Sequence, residues 1–300
     1  MNELQLIEKR VEKELHLKKY TGADRIVLAE DKRKGIEEEA KTRPPFAAMT
    51  GISLLDECTD GFRKGQLVIL SGPPKNGKTA MCQTFTDNFV KNGLRCLWFS
   101  YEVGYEELFK KFPMERLDFY VPNQTATGNL EWIEDKILET KVKYGVDVVF
   151  IDHLDFLRDT DVLKGVSVNM SSYIGGIVQR VKRMAVTHNV VIFLMAHIRK
   201  NKWTANELPD SEELRDSGQI AQLADFVIMV IRERDEKKAD LVYTNNAILG
   251  VMENRHNGKT KKIKMTMANK RFSLTAAEEQ YAAMGEAASK QEEIEIPRGW

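Results

Sequence analysis

Residues 67–80 read LVILSGPPKNGKTA. An apolar run, Leu67-Val68-Ile69-Leu70, leads into Gly72-Pro73-Pro74-Lys75-Asn76-Gly77-Lys78-Thr79-Ala80. The last stretch carries the spacing GxxxxGK[ST], and each fixed position has a physical use. The glycines let backbone N–H groups turn inward around a polyphosphate. Lys78 can reach the β- and γ-phosphates, and the Thr79 hydroxyl can ligate Mg2+. A helix predicted from Thr79 to about Phe89 would aim its N-terminus at the same charge. Strand, glycine loop and helix in this order predict an α/β fold.

Further apolar runs follow at Cys96–Ser100, Val146–Ile151, Val190–Met195 and Phe226–Ile231, with helical patterns between them. They are rich in Val, Ile and Phe and lack strict alternation, as strands covered on both faces do. We read a mainly parallel central sheet. Ala247–Met252 and Ile263–Met267, with Asn257-Gly258 between them, predict a late β-hairpin.

The 300 residues are 42% hydrophobic and 30% charged, with zero formal net charge. No overall field draws the chain to nucleic acid, so such binding must come from local patches. The three cysteines, Cys58, Cys82 and Cys96, have no CxxC spacing. They suggest neither a disulfide scaffold nor a zinc site. No apolar stretch approaches the roughly 20 residues that span a bilayer.

Two acids complete the candidate chemistry. Val148-Val149-Phe150-Ile151-Asp152 is an apolar run ending in a carboxylate, which suits Mg2+ held through its water shell. Glu102 ends the run that begins at Cys96, and ligands of parallel sheets meet the carboxyl ends of strands. Glu102 is the candidate for orienting an attacking water. Glu106 and Glu107 read as a solvated helix face.

These segments together resemble the hexameric replicative helicases of the DnaB type, phage-like members included, which are built on a RecA-like P-loop NTPase core. The resemblance runs from about Thr50 to Ser273. Thr50-Gly51, Leu55-Asp56 and Gly61-Phe62-Arg63-Lys64-Gly65 resemble the segment that leads into the phosphate loop. Phe99-Ser100-Tyr101-Glu102 is similar to the family's SLE-type segment, whose glutamate is the catalytic base. Ile151-Asp152-His153-Leu154 resembles the second nucleotide motif, and Met195 to Lys200 the sensor strand, with His197 in the sensor place. Glu213-Leu214-Arg215-Asp216-Ser217-Gly218, with Gln222, Ala224 and Asp225, is the most specific match, to a DLRxSG…AD signature.

The resemblance implies a ring-forming, ATP- and Mg2+-dependent helicase of DNA replication, a homo-hexamer in the cytoplasm of a bacterial or phage-infected cell. Single-stranded DNA is its partner, together with a primase or a helicase loader. It assigns Arg255 as an arginine finger supplied to a neighbour, although Glu253 stands where the family has a companion lysine. It places Arg232 near the adenine, where a plain surface arginine is the other reading. It gives DNA contacts to Lys164, to Arg199, Lys200, Lys202 and Trp203 after the sensor strand, and to Arg215. Cations beside an aromatic suit a single strand through phosphate contact and stacking. A solvated loop is the bland alternative, as is DNA binding by the basic stretch from Arg255 to Arg271.

The sequence divides into an N-terminal helix and charged linker (1–45), an ATPase domain (46–273) and an acidic, mobile tail (274–300). Leu4, Ile7, Val11 and Leu15 form one narrow apolar stripe on the first helix, and we expect this helix and linker to stand where the family it resembles has an N-terminal partner-binding or primase domain. A RecA- or RadA-like filament ATPase and a nucleotide-controlled loading module with little turnover are the alternatives.

Overall fold

A computed structural model describes residues 3–22, 25–42, 45–112, 116–125, 129–158, 170–197, 208, 219–235 and 242–283. The chain forms two compact units, Met1–Phe46 and Ala47–Trp300. The first unit carries two helices, α1 (Glu3–Lys18) and α2 (Ala29–Thr42). The segment read as a linker is thus helical over much of its length. Its Glu, Lys and Arg residues are good helix formers. Arg33 also bonds Glu30 one turn before it and Glu37 one turn after it, which adds a few tenths of a kcal/mol per pair. Val11 and Leu15 of the α1 stripe are half exposed.

The second unit is built on one eight-stranded sheet in the order β2-β3-β4-β1-β5-β6-β7-β8. The strands are β1 (Leu67–Ser71), β2 (Cys96–Ser100), β3 (Val148–Asp152), β4 (Val191–Ala196), β5 (Phe226–Arg234), β6 (Tyr243–Asn254), β7 (Lys261–Ala268) and β8 (Arg271–Leu274). The first five pair in parallel. The last three add antiparallel to the β5 edge. The parallel sheet expected from the apolar runs is therefore present, and the expected hairpin is β6–β7, extended by β8. That last strand is four residues long and begins beside two non-glycine residues of positive φ, Asn269 and Lys270. Its sequence carries no apolar run to announce it.

The core lies on both faces of the sheet. On one, Leu97, Phe99, Val149, Ile151, Ile192 and Leu194 pack with Ile133 and Ile137 of α6 (Leu130–Tyr144) and with Val178, Val181 and Met184 of α7 (Met170–Thr187). On the other, the intervening residues Trp98, Phe150 and Phe193 stack on one another and on Phe89 of α4 (Lys78–Lys91). Phe62 meets Phe193 and Phe226 edge-on there. Side chains alternate across a strand with period two, so a run that reads as uniformly apolar serves both faces, and the Trp98, Phe150 and Phe193 stack lies on one of them. Helices cover both.

β1 lies between β4 and β5, while the chain leaves it through α4 to reach β2 at the sheet edge. The strand order therefore reverses at β1, and ligands of such sheets bind at the carboxyl ends beside a reversal. The carboxyl ends of β1, β2, β3 and β4 bring together Gly72–Ala80, Glu102, Asp152 and His197. The segment Thr50 to Asp56 that precedes them is locked by one buried carboxylate. Asp56 Oδ1 accepts from Thr50 N and Oγ1, at 2.7 and 2.8 Å, and its Oδ2 accepts from Gly51 N at 2.9 Å. Asp225 is likewise structural, accepting from Leu67 N at 2.7 Å and from Lys182 Nζ at 2.6 Å.

Lys164, Arg199, Lys200, Lys202, Trp203 and Arg215, expected to contact DNA, lie outside the described residues, as does 284–300 of the expected tail. Residues 276–283 are helical, and Glu278 Oε1 accepts from Lys264 N at 3.2 Å on β7. Among the described residues, no helix is long and apolar enough to cross a membrane.

Candidate functional site

The phosphate loop is pinned from behind by β5. A Cβ on Gly72 (φ +145°) would lie 2.2 Å from Val230 O, so only glycine lets the loop leave β1 so close to that strand. Buried Asn76 then ties the loop sideways. Its Oδ1 accepts from Arg232 N at 2.8 Å, and its Nδ2 donates to Pro74 O at 2.9 Å. Gly77, at φ +89°, caps α4, so Lys78 and Thr79 open that helix.

Lys78 is 6% exposed. Its Nζ donates to Gly72 O at 3.0 Å and Pro73 O at 3.1 Å and lies 3.3 Å from His197 Nδ1. Burial lowers its pKa to about 8, against the raising influence of Glu102 and Asp152. The ammonium is thus folded back on loop carbonyls, and an anion in the cradle is its natural further partner. Thr79 Oγ1 donates to Asp152 Oδ2 at 2.8 Å. Asp152 Oδ1 is buried without a hydrogen-bond partner. Burial raises the Asp152 pKa to about 6, with the Thr79 hydrogen bond opposing. A hydroxyl and a carboxylate side by side, one carboxylate oxygen unsatisfied, form a hard oxygen donor set that fits Mg2+.

Two further groups face this centre. His197 follows β4 directly, and burial followed by the Lys78 charge lowers its pKa. Glu102 lies two residues beyond β2, its side chain 49% exposed, with Oε2 4.0 Å from His153 Nε2. Lys78, Thr79, Ala80, Glu102, His197 and Arg232 share one cavity of about 360 Å³.

Several contributors are not legible in the sequence as site residues. Tyr243 on β6 lies under the Arg232 guanidinium, 5.4 Å from its ring centroid, and reaches Asn76 Nδ2 at 3.5 Å. Lys111 and Lys270 line the same cavity. Tyr243 comes near only through strand pairing, in which it faces Arg234, and no local motif marks such a partner. Lys111 follows two acids that read as a solvated face. Arg255 is exposed at the β6–β7 turn, its amide bonded to Asp225 O at 2.9 Å and its guanidinium to Gln222 O. It is outside the set of residues lining its own chain's cavity.

Comparison with known proteins places this arrangement. The family model described as DnaB-like helicase C terminal domain matches residues 48–118 and 110–275. A probable replicative DNA helicase of Trieres chinensis is 27% identical over 229 residues, covering 64% of this chain and 49% of that protein. The replicative DNA helicase DnaB of Leifsonia xyli subsp. xyli is 26% identical over 280 residues, covering 81% and 59%. The chain spans about half the length of the curated relatives it matches. Among solved structures, an isolated ATPase domain superposes with a TM-score of 0.70 at 18% identity, covering 83% of this chain and 99% of that one. A DnaB-like replicative helicase, solved in a study of its interactions with primase, gives 0.66 at 18% identity, covering 89% and 71%. The RecA-like arrangement expected from the sequence is thus the one found, and the matched residues take in every element around the phosphate loop: the chain belongs to the family of the DnaB-like helicase C-terminal domain.

Proposed function

We propose that this chain is the motor of a ring-forming replicative DNA helicase, hydrolysing ATP to move along single-stranded DNA. The observation that carries the reading is the convergence of the phosphate loop, Asp152, Glu102 and His197 at the carboxyl ends of four adjacent parallel strands. Gly72 to Ala80 cradle the phosphates, with Lys78 on the β- and γ-phosphates. Thr79 and Asp152 hold Mg2+, which supplies charge neutralisation at the phosphates when bound. Glu102 orients and deprotonates the attacking water. His197, within reach of the Lys78 ammonium, reports the loss of the γ-phosphate to the residues after β4. Arg232 and Tyr243 form the flat edge on which the base stacks.

Arg255 acts in the neighbouring subunit of a homo-hexamer, where an arginine stabilises transition-state charge and makes hydrolysis depend on assembly. Its exposure on a turn supports that reading. DNA is held by Lys164, Arg199, Lys200, Lys202, Trp203 and Arg215. One structural neighbour interacts with primase, which supports a primase, or a loader, as a further partner. The setting is the cytoplasm of a bacterial or phage-infected cell.

The test is Glu102→Gln assayed for nucleotide binding, ATP hydrolysis and unwinding of a forked duplex. Binding should survive while turnover falls by about 10²–10⁴-fold, as for loss of a general base, and unwinding should cease. Near-normal hydrolysis by the folded variant would remove Glu102 from the reaction. Strand exchange without unwinding by the unmodified chain would point to a recombination filament.

A further inference from the structure

His153 directly follows Asp152 at the carboxyl end of β3. The ring is buried, its side chain 8% exposed. It caps the short 3-10 turn Leu154–Leu157, with Nδ1 accepting from Asp155 N at 3.1 Å. An acceptor Nδ1 leaves the single proton of a neutral imidazole on Nε2. The Nε2–H faces Glu102 Oε2 at 4.0 Å. Glu102 is half exposed just beyond the end of a strand, and at 4.0 Å the pair is longer than a formed hydrogen bond. Hydrogen bonds of this kind are commonly long before substrate binds. The His153 and His197 rings also meet edge-to-face, with centroids 4.7 Å apart, and His197 contacts Lys78.

We propose that His153 is a positioning residue for Glu102, whose carboxylate its Nε2–H steers over the phosphate cavity while its ring rests against His197. The proposal relies on the reading of Glu102 as the water-orienting base. It ties that carboxylate to the histidine beside Lys78 through one buried ring, so that a shift of His197 is felt at Glu102. The same ring belongs to a cluster, His153, Asp155 and His197, whose potential ligand atoms lie within 4.8 Å of one another. As the rings stand, metal ligation competes with bonds already made. His153 Nδ1 takes the Asp155 N–H, Asp155 Oδ1 is paired with Arg158, and His197 Nδ1 faces an ammonium. The geometry therefore favours hydrogen bonding to Glu102 over a metal.

Two conservative substitutions separate positioning from mere structural capping. His153→Asn keeps an oxygen near the Nδ1 place, able to accept the Asp155 N–H, and has no donor at the Nε2 place. His153→Gln puts an amide N–H near the Nε2 place and loses the cap. Positioning predicts that His153→Asn lowers kcat for ATP by about 10–100-fold with KM within about threefold, and that His153→Gln stays within about threefold of the unmodified chain. A purely structural role predicts the reverse order.

In a Glu102→Gln background, His153→Asn should change the residual rate less than about twofold, because residues acting through one another do not add. Measurements use the full chain with Mg2+, ATP and single-stranded DNA, with nucleotide affinity and oligomer mass as controls. The proposal is overturned by an active His153→Asn, by equal impairment of both variants, or by losses that multiply with that of Glu102→Gln. It is overturned as well by calorimetric Zn2+ binding that both His153 variants and Asp155→Asn abolish, which would make the cluster a metal site. Failure of the base assignment itself reads differently, since Glu102→Gln would then hydrolyse ATP near normally whatever stands at 153.

Discussion

Replacing Asp152 by asparagine should make the nucleotide-free protein more stable while disabling its site. The Asp152 carboxyl is pushed from the usual 3.8 up to about 6, chiefly by burial. At 1.36 kcal/mol per pH unit, that gap is worth about 3 kcal/mol against the charged form near neutral pH. The sign follows from linkage. The folded pKa is raised, so the stability that protonation contributes is fully present below the unfolded value and is lost as pH rises through the folded one. Asparagine carries no charge at any pH, and its Oδ1 can still accept from the Thr79 hydroxyl. We expect Asp152→Asn to exceed the unmodified chain by about 1–3 kcal/mol near pH 7, a few degrees in Tm for a domain of this size. The difference should shrink towards zero near pH 4. Urea unfolding with a chelator and no nucleotide measures it. Adding Mg2+ and nucleotide should then stabilise the unmodified chain by mass action far more than the variant. A variant less stable at neutral pH, or an advantage unchanged near pH 4, would refute the view that an unsatisfied buried carboxylate strains this site.

Three further outcomes follow from particular contacts. Gly72→Ala places a Cβ 2.2 Å from the Val230 carbonyl oxygen and should cost more than about 2 kcal/mol, seen as a lower denaturation midpoint together with lost nucleotide affinity; normal values for both would mean the loop can move off β5. Arg255→Ala and Glu102→Gln chains, each inactive alone, should recover some ATPase when mixed and allowed to exchange subunits, whereas an arginine acting within its own chain would give no recovery. Lys200→Ala with Lys202→Ala should flatten the salt dependence of single-strand binding, because fewer counterions are released, and should leave DNA-free hydrolysis unchanged; an unaltered slope would move the DNA path to the hairpin around Lys261, Lys262 and Lys264.

The spacing from Gly72 to Thr79 is enough to assign the phosphate loop, because a backbone cradle for phosphate is a local structure and its glycine, lysine and threonine lie within eight consecutive residues. The apolar runs mark five strands and their parallel pairing, since burial on both faces demands continuous hydrophobicity. Asp152 and Glu102 are legible as acids at strand ends, a position the chain itself marks. The helix α2, in the stretch read as a charged linker, is not, because a polar helix has no apolar period to betray it.

Only the tertiary structure decided which strands are neighbours. That order brings Glu102 beside His153, His153 against His197 and His197 within 3.3 Å of Lys78, four residues from four separate segments of the chain. It likewise carries Tyr243 under Arg232 through antiparallel pairing and fits Gly72 against a carbonyl of β5, far along the chain. A tautomer, an orphaned carboxylate oxygen and a lowered lysine pKa arise from what surrounds a group after folding, and the sequence specifies them only by way of the packing that sets its neighbours and excludes water.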